Sequence, residues 1–293
     1  MPDLLNRRRL VLALSAAPFV ALGPARAADA PPAEAALIAL EKTFGGHIGI
    51  AAIDTASGRE LRYRADERFP FCSTFKVMAA SALLARLPRE PDLLAKHIAY
   101  AAVDLVTYSP ITETHVGDGL RLGELTAAAI QMSDNTAANL LLREVGGPGA
   151  VTTFARSIGD DSFHLDRWET ELNTAIPGDP RDTTTPAAMA KSLQKLLLGD
   201  VLSSPGRDQL KTWMLGTKTG DARIRAGVPK GWQVADKTGT GYYGTANDIG
   251  VVWPNGNRAP VVLAIYTTQT AKDAKASNEV IASAARIVAE WVG

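Results

Sequence analysis

Residues that bind metals or form disulfide bonds are scarce in this chain. Its 293 residues include four histidines and one cysteine, and the histidines show neither an H-E-x-x-H motif nor any paired-ligand spacing. A single cysteine excludes an internal disulfide, and scattered histidines argue against a zinc site. We therefore expect neither a metal ion nor any other cofactor.

Net charge is lacking as well. The 31 lysines and arginines balance the 31 aspartates and glutamates, so the formal net charge at pH 7 is zero. Without a basic stripe or an acidic block, the composition argues against a nucleic-acid partner and against a disordered acidic tail. With 46% hydrophobic and 21% charged residues, the chain can build the core of one large or two modest domains. It carries no signal for an oligomer, and we expect a monomer.

The chain also lacks an apolar run long enough for a membrane anchor. The apolar segment that follows Arg7-Arg8-Arg9 is short and is broken by Pro18, Gly23 and Pro24. The consecutive arginines, this segment and the A-x-A site Ala25-Arg26-Ala27 predict a cleaved signal peptide of the twin-arginine type over residues 1–27. We therefore expect a periplasmic protein without a membrane anchor.

Strand patterns occur near the two ends of the mature chain. The predicted strands cover residues 48–54, 60–64, 231–237, 246–253 and 260–268, with helices predicted over 31–44 and 277–291. These elements can form one five-stranded antiparallel sheet flanked by helices. The predicted fold class is therefore α+β.

The middle of the chain has helical periodicity instead. The predicted helices cover residues 74–87, 122–132, 136–145, 149–158, 186–198 and 205–215. We predict an inserted all-α domain over residues 65–216, with 28–64 and 217–293 forming a discontinuous α/β domain. A long polar loop lies between residues 165 and 185, and loops of this length inside compact domains are usually functional.

Ser73 and Lys76 are the first candidates for chemistry, because a serine stands three residues before a lysine at the start of a predicted helix. Residues at this spacing share one helix face, so Lys76 can reach the hydroxyl of Ser73. The unpaired N–H groups of the first helical turn add donors, which suits acyl transfer. The spacing alone is weak evidence, since Ser192 and Lys195 repeat it within an ordinary amphipathic helix and Ser73 could simply start a helix.

Cys72 precedes Ser73 and is a second candidate nucleophile. Its neighbours Phe69, Phe71 and Phe75 are apolar. Such surroundings favour a buried, inert thiol over a catalytic one.

Three more motifs follow in chain order. Ser133-Asp134-Asn135 falls between two predicted helices, where its side chains can project from a short loop or cap a helix. Glu169 and Asn173 lie in the long loop, and taken alone they would be interpreted as a solvated acidic turn. Lys237-Thr238-Gly239-Thr240 ends a predicted strand and can form a charged, hydroxyl-rich rim. A second K-T-G copy, Lys218-Thr219-Gly220, has no strand before it, and we interpret it as a solvated turn.

Together, and in this order, the four motifs resemble those of the class A serine β-lactamases and their penicillin-binding relatives. The resemblance covers nearly the whole mature chain, from the first hairpin to the last helix. It implies an enzyme that hydrolyses the amide bond of β-lactam antibiotics through a serine acyl-enzyme, with small-molecule β-lactams as its partners.

The resemblance also implies a role for each residue of the motifs. Ser73 would be the nucleophile, Lys76 would tune its proton, and Ser133 would pass a proton to the leaving ring nitrogen. The backbone N–H groups of Ser73 and Thr240 would hold the oxyanion. The substrate contacts would come from Tyr108, Asn135, Asn173, Lys237, Thr238, Gly239, Thr240 and Arg223.

Glu169 would decide the outcome of this reaction. An acyl-enzyme is stable unless a water is activated beside it, and the carboxylate of Glu169 with the amide of Asn173 can hold and deprotonate that water. Arg167 and Asp182 would pair to close the ends of the loop, as they do in the family.

Two positions depart from the family pattern. Proline is common after the loop glutamate, whereas this chain has Thr170. Many members carry an arginine on the strand after K-T-G, and the matching position here is Ala246. We expect Arg223 to supply that charge from a neighbouring element, with Arg225 as the other candidate.

Three other functions fit parts of the pattern. A D-Ala-D-Ala carboxypeptidase or transpeptidase of the penicillin-binding type would share the serine, lysine and K-T-G signals but lack the loop with Glu169 and Asn173. A sensor that is acylated and then signals would need a membrane segment. A carboxylesterase would usually show a nucleophile elbow and a triad histidine, which we do not find in the sequence.

Overall fold

The computed structural model describes residues 32–293, so the predicted signal peptide over residues 1–27 lies outside the described residues. The helices are α1 (Pro32–Phe44), α2 (Phe75–Leu84), α3 (Leu122–Gln131), α4 (Asn135–Val145), α5 (Pro148–Ser157), α6 (Pro186–Leu197), α7 (Ser204–Leu215), α8 (Ile224–Gly227) and α9 (Asn278–Val292). The strands are β1 (His47–Asp54), β2 (Glu60–Tyr63), β3 (Phe69–Pro70), β4 (His97–Ile98), β5 (Leu120–Arg121), β6 (Thr183–Thr184), β7 (Gln233–Thr240), β8 (Ala246–Trp253) and β9 (Val261–Thr268). Every helix of this part of the chain is too short or too polar to cross a membrane.

The main sheet has five strands in the order β2-β1-β9-β8-β7, and each neighbouring pair is antiparallel. Its first and last parts come from opposite ends of the chain, because β1 pairs with β9 from His47 opposite Thr268 to Asp54 opposite Val261. The predicted five-stranded antiparallel sheet and the α+β class are confirmed. The short strands pair separately, β3 with β6 and β4 with β5, within the inserted helical part.

The main sheet is buried on both faces. On β9, Val262 and Ala264 belong to the core shared with the inserted helices, whereas Val261 and Leu263 belong to the core shared with α1 and α9. Helices on both sides explain why the central strands are almost continuously apolar rather than alternating between apolar and polar residues.

The edge strand β7 begins and ends later than the sequence predicts. Gly231 has a φ of +93°, which keeps it out of the strand, and the pairing with β8 continues to Thr240 opposite Ala246. The K-T-G residues therefore lie inside the strand rather than at its end. Alternation along β7 places Lys237 and Gly239 on the same face as Ala235, which belongs to the core shared with the inserted helices.

The predicted helices are present with boundaries shifted by one to three residues. The largest shift is at α2, which ends at Leu84 rather than at Leu87. Pro88 follows there, and a proline disfavours helical backbone at the residue before it.

Candidate active site

A cleft of about 370 Å³ lies between β7 and the inserted helices. Its lining residues are Ser73, Tyr108, Ser133, Asn135, Asn173, Thr219, Arg223, Thr238, Gly239 and Thr240. The sequence predicted all of these except Thr219. Lys76, Glu169 and Lys237 are buried and reach the same place through the contacts that follow.

Ser73 lies in a 3₁₀ turn, Cys72–Thr74, that leads directly into α2. Asn247 on β8 fixes the approach to this turn, since its side-chain amide donates to the carbonyl oxygen of Phe71 at 3.0 Å. Gly239 permits the close packing of β7 against the same segment, because a Cβ there would lie 2.6 Å from the Phe71 oxygen. The nucleophile candidate is thus held between the sheet and the start of a helix.

The ammonium group of Lys76 joins three groups inside the protein. Nζ donates to the carbonyl oxygen of Ser133 at 2.8 Å and to Oδ1 of Asn135 at 2.7 Å, and it lies 3.0 Å from Oε1 of Glu169. Burial lowers the pKa of Lys76, while the Glu169 carboxylate opposes that change.

The hydroxyl of Ser73 makes a different contact from the one that the sequence suggests. The i,i+3 spacing predicts a contact with Lys76, but Oγ donates to Oε1 of Glu169 at 3.1 Å. Glu169 therefore offers Ser73 a proton acceptor, and Lys76 bonds to the same carboxylate oxygen.

Two lysines converge on the hydroxyl of Ser133. Nζ of Lys237 donates to Oγ at 3.0 Å, and Nζ of Lys76 does so at 3.4 Å. Because both neighbours are donors, the Ser133 oxygen accepts and its own proton is directed away from them. Burial lowers the pKa of Lys237 well below its usual value, and the nearby Lys76 acts in the same direction.

The two other residues of the S-D-N motif have separate tasks. Asp134 is the N-cap of α4 and accepts from the backbone N–H of Ala137 at 2.8 Å, so the capping interpretation holds for it. Asn135 binds Lys76 through Oδ1, and its backbone N–H donates to the carbonyl oxygen of Tyr108 at 3.0 Å. The side chain of Tyr108 stands at the rim of the cleft, 56% exposed.

The long loop presents Glu169 with its side chain and backbone both held. Asn173 Nδ2 donates to Oε2 at 2.5 Å, and Oδ1 of Asn173 is buried without a hydrogen-bond partner among the described residues. Asn139 on α4 donates to the Glu169 carbonyl oxygen at 2.9 Å and accepts from its N–H at 3.0 Å. The peptide between Glu169 and Thr170 is cis.

Asn139 is a site residue that the sequence analysis missed. It stands four residues after Asn135, and residues at this spacing lie on the same helix face. A search for polar residues one turn beyond the S-D-N motif would have found it.

The ends of the loop are closed by the predicted pair of Arg167 and Asp182. Nε of Arg167 lies 2.5 Å from Oδ2 of the buried Asp182. The other carboxylate oxygen accepts from the backbone N–H groups of Asp166 and Arg167 at 2.8 and 3.0 Å. One carboxylate thus joins both ends of the loop.

Arg223 reaches the cleft, whereas Arg225 lies behind β7. The Arg223 guanidinium donates from Nη2 to Oγ1 of Thr240 at 2.7 Å and from Nη1 to the carbonyl oxygen of Gly239 at 2.8 Å. Arg225 instead pairs with the buried Asp236 at 2.7 Å. Position therefore favours Arg223 as the cation beside the substrate.

The interpretation of the second K-T-G copy as a solvated turn is wrong for two of its residues. Lys218 is exposed, but Gly220 is buried and Thr219 lines the cleft. Oγ1 of Thr219 lies 2.6 Å from Oγ1 of Thr238. The sequence could not show this contact because it depends on how the loop before α8 folds over the edge of β7.

Cys72 is buried and has no access to solvent. Burial raises the pKa of its thiol, and the Glu169 carboxylate raises it further, so the reactive thiolate form is disfavoured. The thiol is buried, as its neighbours indicated. Within residues 32–293, no three side chains of His, Cys, Asp or Glu are grouped closely enough to hold a metal ion.

Comparison with known proteins decides the family. A model of the Beta-lactamase enzyme family matches residues 32–292. The chain is 56% identical over 255 residues to Carbapenem-hydrolyzing beta-lactamase KPC of Klebsiella oxytoca, with 87% of each protein covered. The chain belongs to the class A β-lactamases. It is also 51% identical to Beta-lactamase CTX-M-8 of Citrobacter amalonaticus, with 97% of each protein covered.

Solved structures of β-lactamases share the fold. The β-lactamase of Desulfarculus baarsii matches with a TM-score of 0.88 and 57% identity, covering 89% of this chain and 97% of that one. A variant of the last common ancestor of the class A β-lactamases of Gram-negative bacteria matches with a TM-score of 0.84 and 58% identity. The match covers 87% of this chain and 96% of that one. The enzyme hydrolyses β-lactams, and the penicillin-binding alternative is not favoured.

Proposed function

We propose that this class A β-lactamase acts through an acyl-enzyme on Ser73, with Glu169 activating the water for deacylation. The observation that carries the proposal is the meeting of three groups from distant parts of the chain. Oε1 of Glu169 lies 3.1 Å from Oγ of Ser73 and 3.0 Å from Nζ of Lys76.

Acylation begins at Ser73. Its Oγ attacks the β-lactam carbonyl carbon while its proton moves to Oε1 of Glu169, the acceptor already bonded to it. The backbone N–H groups of Ser73 and Thr240 stabilise the oxyanion. When the C–N bond breaks, the ring nitrogen takes the proton of Ser133. Lys76 bonds both Glu169 and Ser133, so it gives a proton to the Ser133 oxygen and takes up the proton held by Glu169, which becomes a carboxylate again.

Deacylation uses the other side of the same carboxylate. A water bound by Glu169 and by Oδ1 of Asn173, which has no hydrogen-bond partner within residues 32–293, loses a proton to Glu169 and attacks the ester carbon. The ester C–O bond breaks, and Ser73 recovers its proton. A positioned base contributes about 10³-fold, or roughly 4 kcal/mol, which separates a hydrolase from a protein that remains acylated.

The substrate is held by groups on both walls of the cleft. Asn135 bonds the side-chain amide of the β-lactam, and Tyr108 forms an aromatic wall at the rim. Lys237, Thr238 and Thr240 bind the substrate carboxylate, and Arg223 adds positive charge beside them. Gly239 has no side chain, which leaves room for the substrate between Thr238 and Thr240. Glu169 and Asn173 face the ester.

The proposal extends to cellular location. We propose export to the periplasm by the twin-arginine route, supported by Arg7-Arg8-Arg9 and the A-x-A site before residue 28. We also propose that the mature enzyme works as a monomer, because its sequence carries no signal for an oligomer.

Turnover of a chromogenic cephalosporin tests the proposal. The wild type should hydrolyse many molecules per protein, and Ser73→Ala should abolish hydrolysis. Ser192→Ala is the matched control, because it removes the serine of the other Ser-x-x-Lys pair and should leave kcat within about two-fold. Consumption of a single cephalosporin per wild-type protein would show a trapped acyl-protein and overturn the proposal.

A further inference from the structure

The loop that precedes α8, residues 217–220, covers the edge of β7 beside the cleft. Thr217 donates from Oγ1 to the carbonyl oxygen of Asp236 at 2.6 Å, and the backbone N–H of Lys218 donates to the carbonyl oxygen of Gln131 at 2.9 Å. Gly220 lies so close to β7 that a Cβ there would collide with the Asp236 carboxylate. The loop is therefore anchored on both sides of Thr219.

Thr219 and Thr238 form a hydroxyl pair in the wall of the cleft. Their Oγ1 atoms are 2.6 Å apart, and both residues line the cleft. A hydroxyl carries one proton, so Thr238 can donate either to Thr219 or to a ligand. If Thr219 donates to Thr238, the Thr238 proton is free to point into the cleft.

The guanidinium of Arg223 has little capacity left for a bound anion. Four of its five N–H donors are used within the protein, on Asn278, Gly239, Asn247 and Thr240. A bidentate pair with a carboxylate would need two free donors. Because Thr240 Oγ1 accepts from Arg223 at 2.7 Å, the proton of Thr240 is directed away from the guanidinium and can meet the anion instead.

We infer that Thr219 is a positioning residue for the carboxylate of β-lactam substrates, acting through Thr238. This inference rests on the proposed function and deepens it. Thr219 donates to Thr238, and Thr238 donates to the carboxylate. Thr240, whose oxygen accepts from Arg223, donates to the same carboxylate. Hydrogen bonds in such a chain polarise one another. Thr219 therefore sets the affinity for substrates that carry a ring carboxylate and leaves the chemistry at Ser73 unchanged.

Steady-state kinetics of two variants, an isosteric one without the hydroxyl and one that keeps it, test the inference. Thr219→Val removes the hydroxyl and should raise KM for a carboxylate-bearing chromogenic cephalosporin by roughly five-fold or more, with kcat within about two-fold. Thr219→Ser keeps the hydroxyl and should keep KM close to the wild-type value. The methyl ester of the same cephalosporin should be hydrolysed equally well by the wild type and by Thr219→Val. In a Thr238→Val background, adding Thr219→Val should change KM no further.

Several results would overturn the inference. One is an unchanged KM of Thr219→Val for the free-acid cephalosporin. Another is an equal rise in the KM of Thr219→Val for the free acid and for the methyl ester. A third is a KM of Thr219→Ser as high as that of Thr219→Val. Thermal unfolding checks that each variant is folded, and Thr219→Ala replaces Thr219→Val if that variant does not fold. If the wild type is acylated but does not turn over, the proposed function fails, and the acylation efficiencies of acid and ester still test Thr219.

Discussion

The hydroxyl of Ser73 lies 3.1 Å from Oε1 of Glu169, although 96 residues separate the two along the chain. The contact exists because the loop that carries Glu169 is fixed at three places: by Asn139 at the backbone, by Asn173 at the carboxylate and by Asp182 at its ends. A base placed this firmly beside a nucleophile needs little reorganisation during the reaction. Substitutions of Asn139, Asn173 or Asp182 should therefore slow deacylation more than they weaken substrate binding.

Asn139→Ala should slow deacylation without preventing acylation. The substitution leaves the buried N–H and carbonyl of Glu169 without their partners, which should cost about 1–3 kcal/mol of unfolding free energy. A small displacement of the carboxylate should lower kcat by roughly ten-fold or more. Stopped-flow kinetics should show a burst of acylation followed by a slow steady state. Arg143→Ala, on the exposed side of the same helix, is the control. An unchanged kcat with no burst would show that Asn139 does not position Glu169.

Lys237 should give substrate binding a pH dependence. Its pKa is lowered well below the usual value of 10.5 by burial and by Lys76, so the cleft loses a positive charge at a pH below that value. We predict that KM for carboxylate-bearing β-lactams rises with pH already below the usual lysine value, because Lys237 loses its proton there. Lys237→Arg should move the rise to higher pH, because a guanidinium stays protonated. A flat KM in the wild type, or the same profile in both proteins, would contradict this role.

Arg223→Ala should weaken both substrate binding and stability. It removes the charge beside Thr240 and leaves the carbonyl oxygens of Gly239 and Asn247 without this donor. KM should rise by roughly ten-fold or more, and thermal unfolding should occur at a lower temperature. The exposed Arg258 supplies the control, since Arg258→Ala should change neither quantity. An unchanged KM in Arg223→Ala would remove Arg223 from the binding site.

Cys72 should resist thiol reagents in the folded enzyme. Its side chain has no solvent access and its thiol pKa is raised by burial, so neither access nor thiolate is present. A chromogenic disulfide reagent should leave activity intact and should react with one thiol per chain only after unfolding. Rapid labelling of the native enzyme with loss of activity would contradict the burial of Cys72.

The sequence predicts those parts of the site in which the motif residues contact one another directly. Ser73, Ser133 and Glu169 meet Lys237 in one cleft, because the first three stand at helix ends or in a loop that the periodicity placed well. Lys237 reaches the cleft although β7 continues beyond its predicted end. The predicted pairing of Arg167 with Asp182 is confirmed by their ion pair. The α+β class followed from strand patterns at both ends of the chain with helices between them.

The sequence did not predict contacts that depend on packing between elements. Thr219 was interpreted as part of a solvated turn because its neighbours are polar, and only the covering of the β7 edge brings it to Thr238. Helix spacing predicts a hydrogen bond between Lys76 and Ser73. In the structure the Lys76 ammonium contacts Glu169 and Asn135 instead. Neither partner choice is encoded in local spacing.

Intact-protein mass spectrometry of Glu169→Ala with a carboxylate-bearing β-lactam tests the central claim most directly. The account predicts rapid formation of one covalent adduct on Ser73 that persists while the wild type turns over. Glu171→Ala removes an exposed acid two residues along the same loop and should behave like the wild type. Full turnover by Glu169→Ala, with no accumulated adduct, would contradict the role of Glu169 as the base for deacylation.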